Sequence, residues 1–203
     1  GGSITTAPFS VIAGDIPSNI NASTASGGNC GTSYAYQWQK STDNIYFTNI
    51  SGATSQNLIH SSGLTQSTYF RRAVNCGVDQ SYTGSILISV FNPGSITSGD
   101  QTISYNTSPS SILATAASGG NCGTSYSYQW QSSLSGYYTD FTNIPSATGQ
   151  NLTLSTPLTQ TTYYRRMVTC GSTTSYTSNA VVKVIDMNSI TTNTIRKAGV
   201  TDP

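Results

Sequence analysis

Not one glutamate occurs among the 203 residues of this chain, and seven aspartates are its whole stock of side-chain acid. Charged residues amount to 7%, and the formal net charge is +1. So thin and even a balance sets up no field to steer a nucleic acid and offers no polybasic run to hold an anionic membrane. No Asp-x-Asp pair occurs, which disfavours paired-carboxylate hydrolysis and a dense calcium site. One Asp with backbone carbonyls is the remaining route to a loosely held calcium ion. A single histidine, His60, leaves zinc sites and histidine triads short of material. No apolar run approaches the roughly 18 residues that span a bilayer, and the opening GGSITTAP is not a signal peptide. Because the chain starts without Met, it reads as a piece of something longer. No cofactor is expected.

What is present points to strands. Ser and Thr supply nearly a third of the residues, beside 13 Tyr and 19 Gly. Thr and aromatic side chains suit a pleated, half-buried surface better than a helix.

The stretch GGNCGTSYAYQWQ at residues 27–39 returns at residues 119–131 as GGNCGTSYSYQWQ, so the chain is a tandem duplication. The landmarks divide it into a first repeat at residues 1–93 and a second at residues 94–187. A third GSIT-like start, Asn188-Ser189-Ile190-Thr191, makes residues 188–203 the beginning of a further repeat or a linker. Such a chain looks like a window on a longer array. After Trp38 and Trp130 the offset between copies rises from 92 to 94, which places a two-residue insertion between Trp130 and Phe141. An insertion there lengthens a hairpin loop without altering a core.

Period-2 patterns and turn signals give about seven short strands per repeat. In the first repeat they fall near residues 9–13, 19–25, 33–40, 46–49, 57–60, 68–75 and 81–91. Tyr34, Tyr36 and Trp38 share one face of the third strand, and Tyr126, Tyr128 and Trp130 repeat it. The expected fold class is all-β: two tandem immunoglobulin-like antiparallel β-sandwiches.

Cys30, Cys76, Cys122 and Cys170 fall two per repeat. Four cysteines allow three pairings, and the repeat favours Cys30 with Cys76 and Cys122 with Cys170. Close CxxC pairs that would hold zinc are absent, so no metal site is expected. Both cysteines of a repeat lie at one pole of the sandwich, where a bridge clamps end loops and points to an oxidising, extracellular setting.

The succession YQWQ, FTNI with SGAT or PSAT, LTQSTYFRR or LTQTTYYRR, and a closing Cys-Gly resembles the Ig-like repeat modules of very large secreted and cell-surface proteins of Bacteroidota. The resemblance covers about nine tenths of the chain. It implies export by the type IX route and a place in an adhesin, filament or stalk-like surface assembly. It implies no catalytic residue.

The expected function is therefore structural or adhesive. The chain would be a stiff spacer in a long extracellular surface protein, with neighbouring repeats and other copies as partners and no enzymatic activity. The alternative is a pair of carbohydrate-binding modules taking a glycan or another cell-surface ligand. His60 corresponds to Leu154, so a base or metal site built on it would exist in one copy alone. Adjacent strand residues point to opposite faces, so one of Arg71 and Arg72, and one of Arg165 and Arg166, should point inward and find an aromatic face or loop carbonyls. The outward arginine, with Gln37 and Gln39, would form a polar sheet face open to a glycan or a subunit. Tyr46, Tyr137 and Tyr138, on the loop whose length differs between copies, are the best exposed aromatics.

Overall fold

A computed structural model describes residues 1–186. The expected third repeat or linker at residues 188–203 lies outside them. The chain forms two compact units, one of Gly1–Asn92 with Ser118–Ser125, the other of Pro93–Ala117 with the chain from Tyr126 onward.

In chain order the first strands are β1 (Phe9–Ile12), β2 (Ala35–Ser41), β3 (Thr48–Asn49), β4 (Thr68–Cys76), β5 (Asp79–Tyr82) and β6 (Ile86–Asn92). There follow β7 (Gln101–Ser104), β8 (Ser118–Gly119), β9 (Tyr126–Ser133), β10 (Thr142–Asn143), β11 (Thr162–Cys170), β12 (Thr173–Tyr176) and β13 (Ala180–Ile185). In the first unit the sheet runs β1-β6-β4-β2-β3, with β5 also on β4 and β8 on β6. In the second it runs β10-β9-β11-β13-β7, with β12 also on β11. All pairings are antiparallel except β1 with β6 and β7 with β13. A three-residue 3-10 turn at Tyr138–Asp140 is the one helical element among the described residues.

Each unit closes a sandwich by packing this sheet against a second layer. Ile20, Ala22 and Leu58 from the second layer meet Trp38, Phe70, Ile86 and Ile88 from the sheet. The second unit fills the same seven positions with Ile112, Ala114, Leu152, Trp130, Tyr164, Ala180 and Val182. Both tryptophans are wholly buried, each contributing roughly 4–6 kcal/mol of apolar burial. Their indole N–H groups donate to the Ser55 and Gly149 carbonyls, both at 3.0 Å. Tyr36 and Tyr34, on the same face, are only half-buried. Their hydroxyls reach the backbone instead, Tyr36 accepting from the Ala25 N–H at 3.3 Å and Tyr34 donating to the Gly27 carbonyl at 2.7 Å.

The second layer differs from expectation. Residues 19–25 and 57–60 form no strands, only the isolated bridges Ile4–Ala22 and Ile20–Leu58. Side chains have taken over the ladder. The Asn57 carboxamide accepts the Ala22 N–H at 3.0 Å, and Gln56 donates to the Ala22 carbonyl at 2.8 Å. Asn151 and Gln150 do the same for Ala114 in the second unit. Asn and Gln can satisfy a backbone in place of a neighbouring strand, so the alternating pattern survives without a regular ladder.

The expected strand at residues 81–91 is likewise broken in two. Thr83 accepts the Arg72 N–H on its hydroxyl at 2.9 Å while its own N–H donates to the Arg72 carbonyl at 2.9 Å. With a hydroxyl standing in for a carbonyl, the chain is free to leave β4 after β5 and return as β6.

Cys30 and Cys76 are joined, with Cα atoms 5.3 Å apart and 46 residues of separation. Cys122 and Cys170 are disulfide-bonded as well, and no cysteine is free. His60 lies on no strand. Its ring stands edge-on to Phe70 at 5.0 Å, and burial lowers its pKa below the ordinary 6.5.

Candidate functional site

Arg71 and Arg72 sit in the middle of β4, opposite Gln39 and Trp38 of β2. The pleat sends Arg72 inward, where it is fully buried. Its terminal nitrogens donate to the Gln56 and Ser23 carbonyls at 2.7 Å each, and its guanidinium lies 4.3 Å from the centre of the Tyr36 ring. Burial pulls its pKa down and Tyr36 pulls it back up, but a guanidinium keeps its proton at any ordinary pH. The two carbonyls it holds belong to the layer that lacks a ladder, so Arg72 ties that layer to the sheet across the core. Arg166 repeats this with the Gln150 and Thr115 carbonyls at 2.7 Å each, adds the Pro93 carbonyl at 2.8 Å, and lies 4.5 Å from the Tyr128 ring.

The outward arginines are not open to solvent ligands as the sequence led us to expect. Arg71 is clasped between Phe47 and Tyr82, 3.9 and 4.1 Å from the ring centres, and its Nε donates to Gln39 at 2.8 Å. Gln39 in turn donates to Asn49 at 2.8 Å. Gln37 turns its amide to the Trp38 and Ile50 carbonyls, both at 2.8 Å. Arg165 is only 5% exposed. It lies among Phe141, Tyr138 and Tyr176, at 4.1, 4.4 and 4.2 Å, and donates to Gln131 at 2.8 Å. Arg72, Arg165 and Arg166 are buried, where rings, amides and carbonyls take up their charge in a chain poor in acids, although the Nε of Arg72 and of Arg166 has no hydrogen-bond partner. Gln37, Gln39 and Arg71 are half-buried members of the same networks.

The two-residue insertion explains the difference between Arg71 and Arg165. It carries Tyr138 over the guanidinium as a third aromatic wall, edge-on to Tyr176 at 5.5 Å. Burial first, and Tyr138 next, raise the pKa of Tyr176, against a smaller opposing pull from Arg165. Phe47, Tyr82, Phe141 and Tyr176 are arginine partners beyond those expected from the sequence. The signal was there in FTNI and SYT, which occur in both copies.

The hairpin tips are the outward-facing candidates. Tyr46 and Tyr137 are 79% and 73% exposed. In the first unit the Asp43 carboxylate accepts the Ser41 hydroxyl at 2.7 Å and the Ile45 and Tyr46 N–H groups at 2.8 and 2.9 Å. These bonds, that from Ile45 foremost, hold its pKa below the ordinary 3.8. Beside the tip a cleft of about 330 Å³ runs between Lys40, Tyr46, Thr48, Leu64 and Gln66. In the second unit Ser135 replaces Asp43, its hydroxyl accepting the Tyr137 N–H at 3.1 Å and donating to Asp140. Among the described residues no three His, Cys, Asp or Glu side chains gather as metal ligands.

Two sheet-and-layer sandwiches in tandem, each with a tryptophan core, define an all-β protein of immunoglobulin-like class. The chain belongs to the family described as a domain of unknown function, DUF8696, which it matches twice, at residues 1–93 and 92–187. Among the solved structures similar to it are three of animal proteins. One is the insect immune protein hemolin, in a study of its domain arrangement and homophilic adhesion (12% identity, TM-score 0.49, 91% of this chain and 47% of that one). The others are Dscam, in a study of isoform specificity (11%, 0.38, 91% and 46%), and the FN1–FN3 domains of chicken CNTN1 (12%, 0.40, 89% and 67%). The chain thus spans about half the length of the first two. No curated protein matches it.

Proposed function

We propose that this chain is a structural and adhesive repeat segment of a long extracellular surface protein, a spacer whose partners are neighbouring repeats and other copies of itself. The repetition of one interior carries this reading. The seven core positions, the buried arginine tie and the cysteines recur in both repeats, while the hairpin tips differ in length and chemistry. Selection that keeps an interior and varies a tip suits a building block. Disulfides fit an oxidising compartment. The likeness to Bacteroidota surface repeats extends the reading to type IX export and an adhesin or filament, with no enzymatic role.

The test is a glycan array and a protease digest on the same preparation. A spacer binds no glycan and resists trypsin until its disulfides are reduced. The second reading, a carbohydrate-binding pair, has one observation in its favour, the cleft that brings exposed Tyr46 beside Lys40. Glycan binding that disappears with Tyr46→Ala would replace the spacer reading with that one.

A further inference from the structure

The first unit contains one strand contact that its own sequence can form a second time. β8 pairs with the end of β6, with Phe91 opposite Gly119 and Asn92 opposite Ser118, and the Gly120 N–H donates to the Val90 carbonyl at 2.9 Å. Gly119 and Gly120 have φ of 69° and 75°. A Cβ on Gly119 would stand 2.0 Å from the Val90 oxygen, so the seat admits glycine alone.

Ser26, Gly27 and Gly28 are the counterparts of Ser118, Gly119 and Gly120 at the 92-residue offset. They are folded the same way, with φ of 84° and 79° at the two glycines. Yet a Cβ on Gly27 would meet nothing within 4 Å, and among the described residues the partner on this backbone is the Tyr34 hydroxyl at the Gly27 carbonyl. A cleft of about 190 Å³ lined by Gly27, Gly28, Tyr34, Val74 and Cys76 opens beside it. The matching strand end is also present. Val184 and Ile185 of β13 occupy the positions of Val90 and Phe91, but are half-buried where those two are buried.

We propose that Ser26, Gly27 and Gly28 form a docking seat for the end of β13 of a second copy, at Val184 and Ile185. A carbonyl of that strand would accept the Gly28 N–H, and an apolar side chain at the Ile185 position would enter the cleft. The contact is strand addition to a short open edge, and it holds whether or not the protein is adhesive. Within an array the tether between modules supplies an effective concentration on the order of millimolar, so a weak contact suffices there.

The full chain, labelled with ¹⁵N, is titrated with unlabelled chain to about 1 mM. The amide signals of Gly27 and Gly28 should move together with those of Val184 and Ile185. Exchange of the Gly28 amide hydrogen should slow about twofold at half-saturation, approaching Gly120. Gly27→Ala, whose Cβ meets nothing in the free seat but whose φ of 84° strains any side chain, should abolish the shifts while lowering the thermal midpoint by only about 5 °C. If that variant fails to fold, the wild-type shift map decides alone. Shifts absent at 1 mM, or confined to the hairpin tips and sheet faces, would overturn the proposal.

Discussion

Replacing Arg72 by Met should cost the first unit about 2 kcal/mol, and replacing Arg166 by Met should cost the second about 1.5 kcal/mol more. Arg72 donates two charge-assisted bonds to buried carbonyls, each worth about 1.5–3 kcal/mol. Methionine fills much of the volume but leaves the Gln56 and Ser23 carbonyls unpaired. Against this, an apolar side chain no longer has to bury a charge, and such exchanges commonly recover about 1–4 kcal/mol. Arg166 has a further acceptor, the Pro93 carbonyl, hence its larger loss. Lysine should not rescue either site, because one ammonium cannot reproduce the fork that spans separate carbonyls. Urea unfolding followed by amide hydrogen exchange reads the two units separately. A loss under about 1 kcal/mol in either variant, or a greater loss for Arg72→Met than for Arg166→Met, would show that the tie across the core is not what holds the second layer.

Breaking the first bridge with Cys30→Ala and Cys76→Ala together should destabilise that unit by about 4 kcal/mol, the closure entropy of a 46-residue loop; calorimetry with and without reductant checks it, and an unchanged midpoint would contradict it. His60 has a folded pKa depressed by burial, so the unfolded chain takes up the proton more readily and stability falls as pH drops below 6.5. His60→Leu, which copies Leu154, should remove that slope from the first unit in urea midpoints compared at about pH 7.5 and about pH 5. Tyr138→Ala should cost the second unit about 1–2 kcal/mol through its contacts with Arg165 and Tyr176. Tyr46→Ala should change thermal stability by under about 0.5 kcal/mol.

The core strand was legible because alternation of Tyr, Tyr and Trp with Ala and Gln is a local signal, and the duplication doubled it. The inward arginine was legible too, since two adjacent arginines on a strand cannot both face water. Two things were not. Residues 19–25 alternate like a strand, but whether Ala22 bonds to a neighbouring backbone or to Asn57 and Gln56 depends on side chains some 35 residues away. Arg165 looked like a surface residue because its enclosure comes from Tyr138, which the insertion displaces from any counterpart in the first copy. Period and composition describe a strand's faces, not what a distant loop lays over them.

A buried charge is commonly matched to an opposite charge, and such a match is at the mercy of its surroundings: acid neutralises the carboxylate, and dissolved ions screen whatever part of the pair reaches water. Among the described residues Arg72 and Arg166 answer to backbone carbonyls and aromatic rings, with no carboxylate among them. Neither tie therefore has a partner that acid would neutralise or salt would screen. For these two ties, the missing glutamates are no loss.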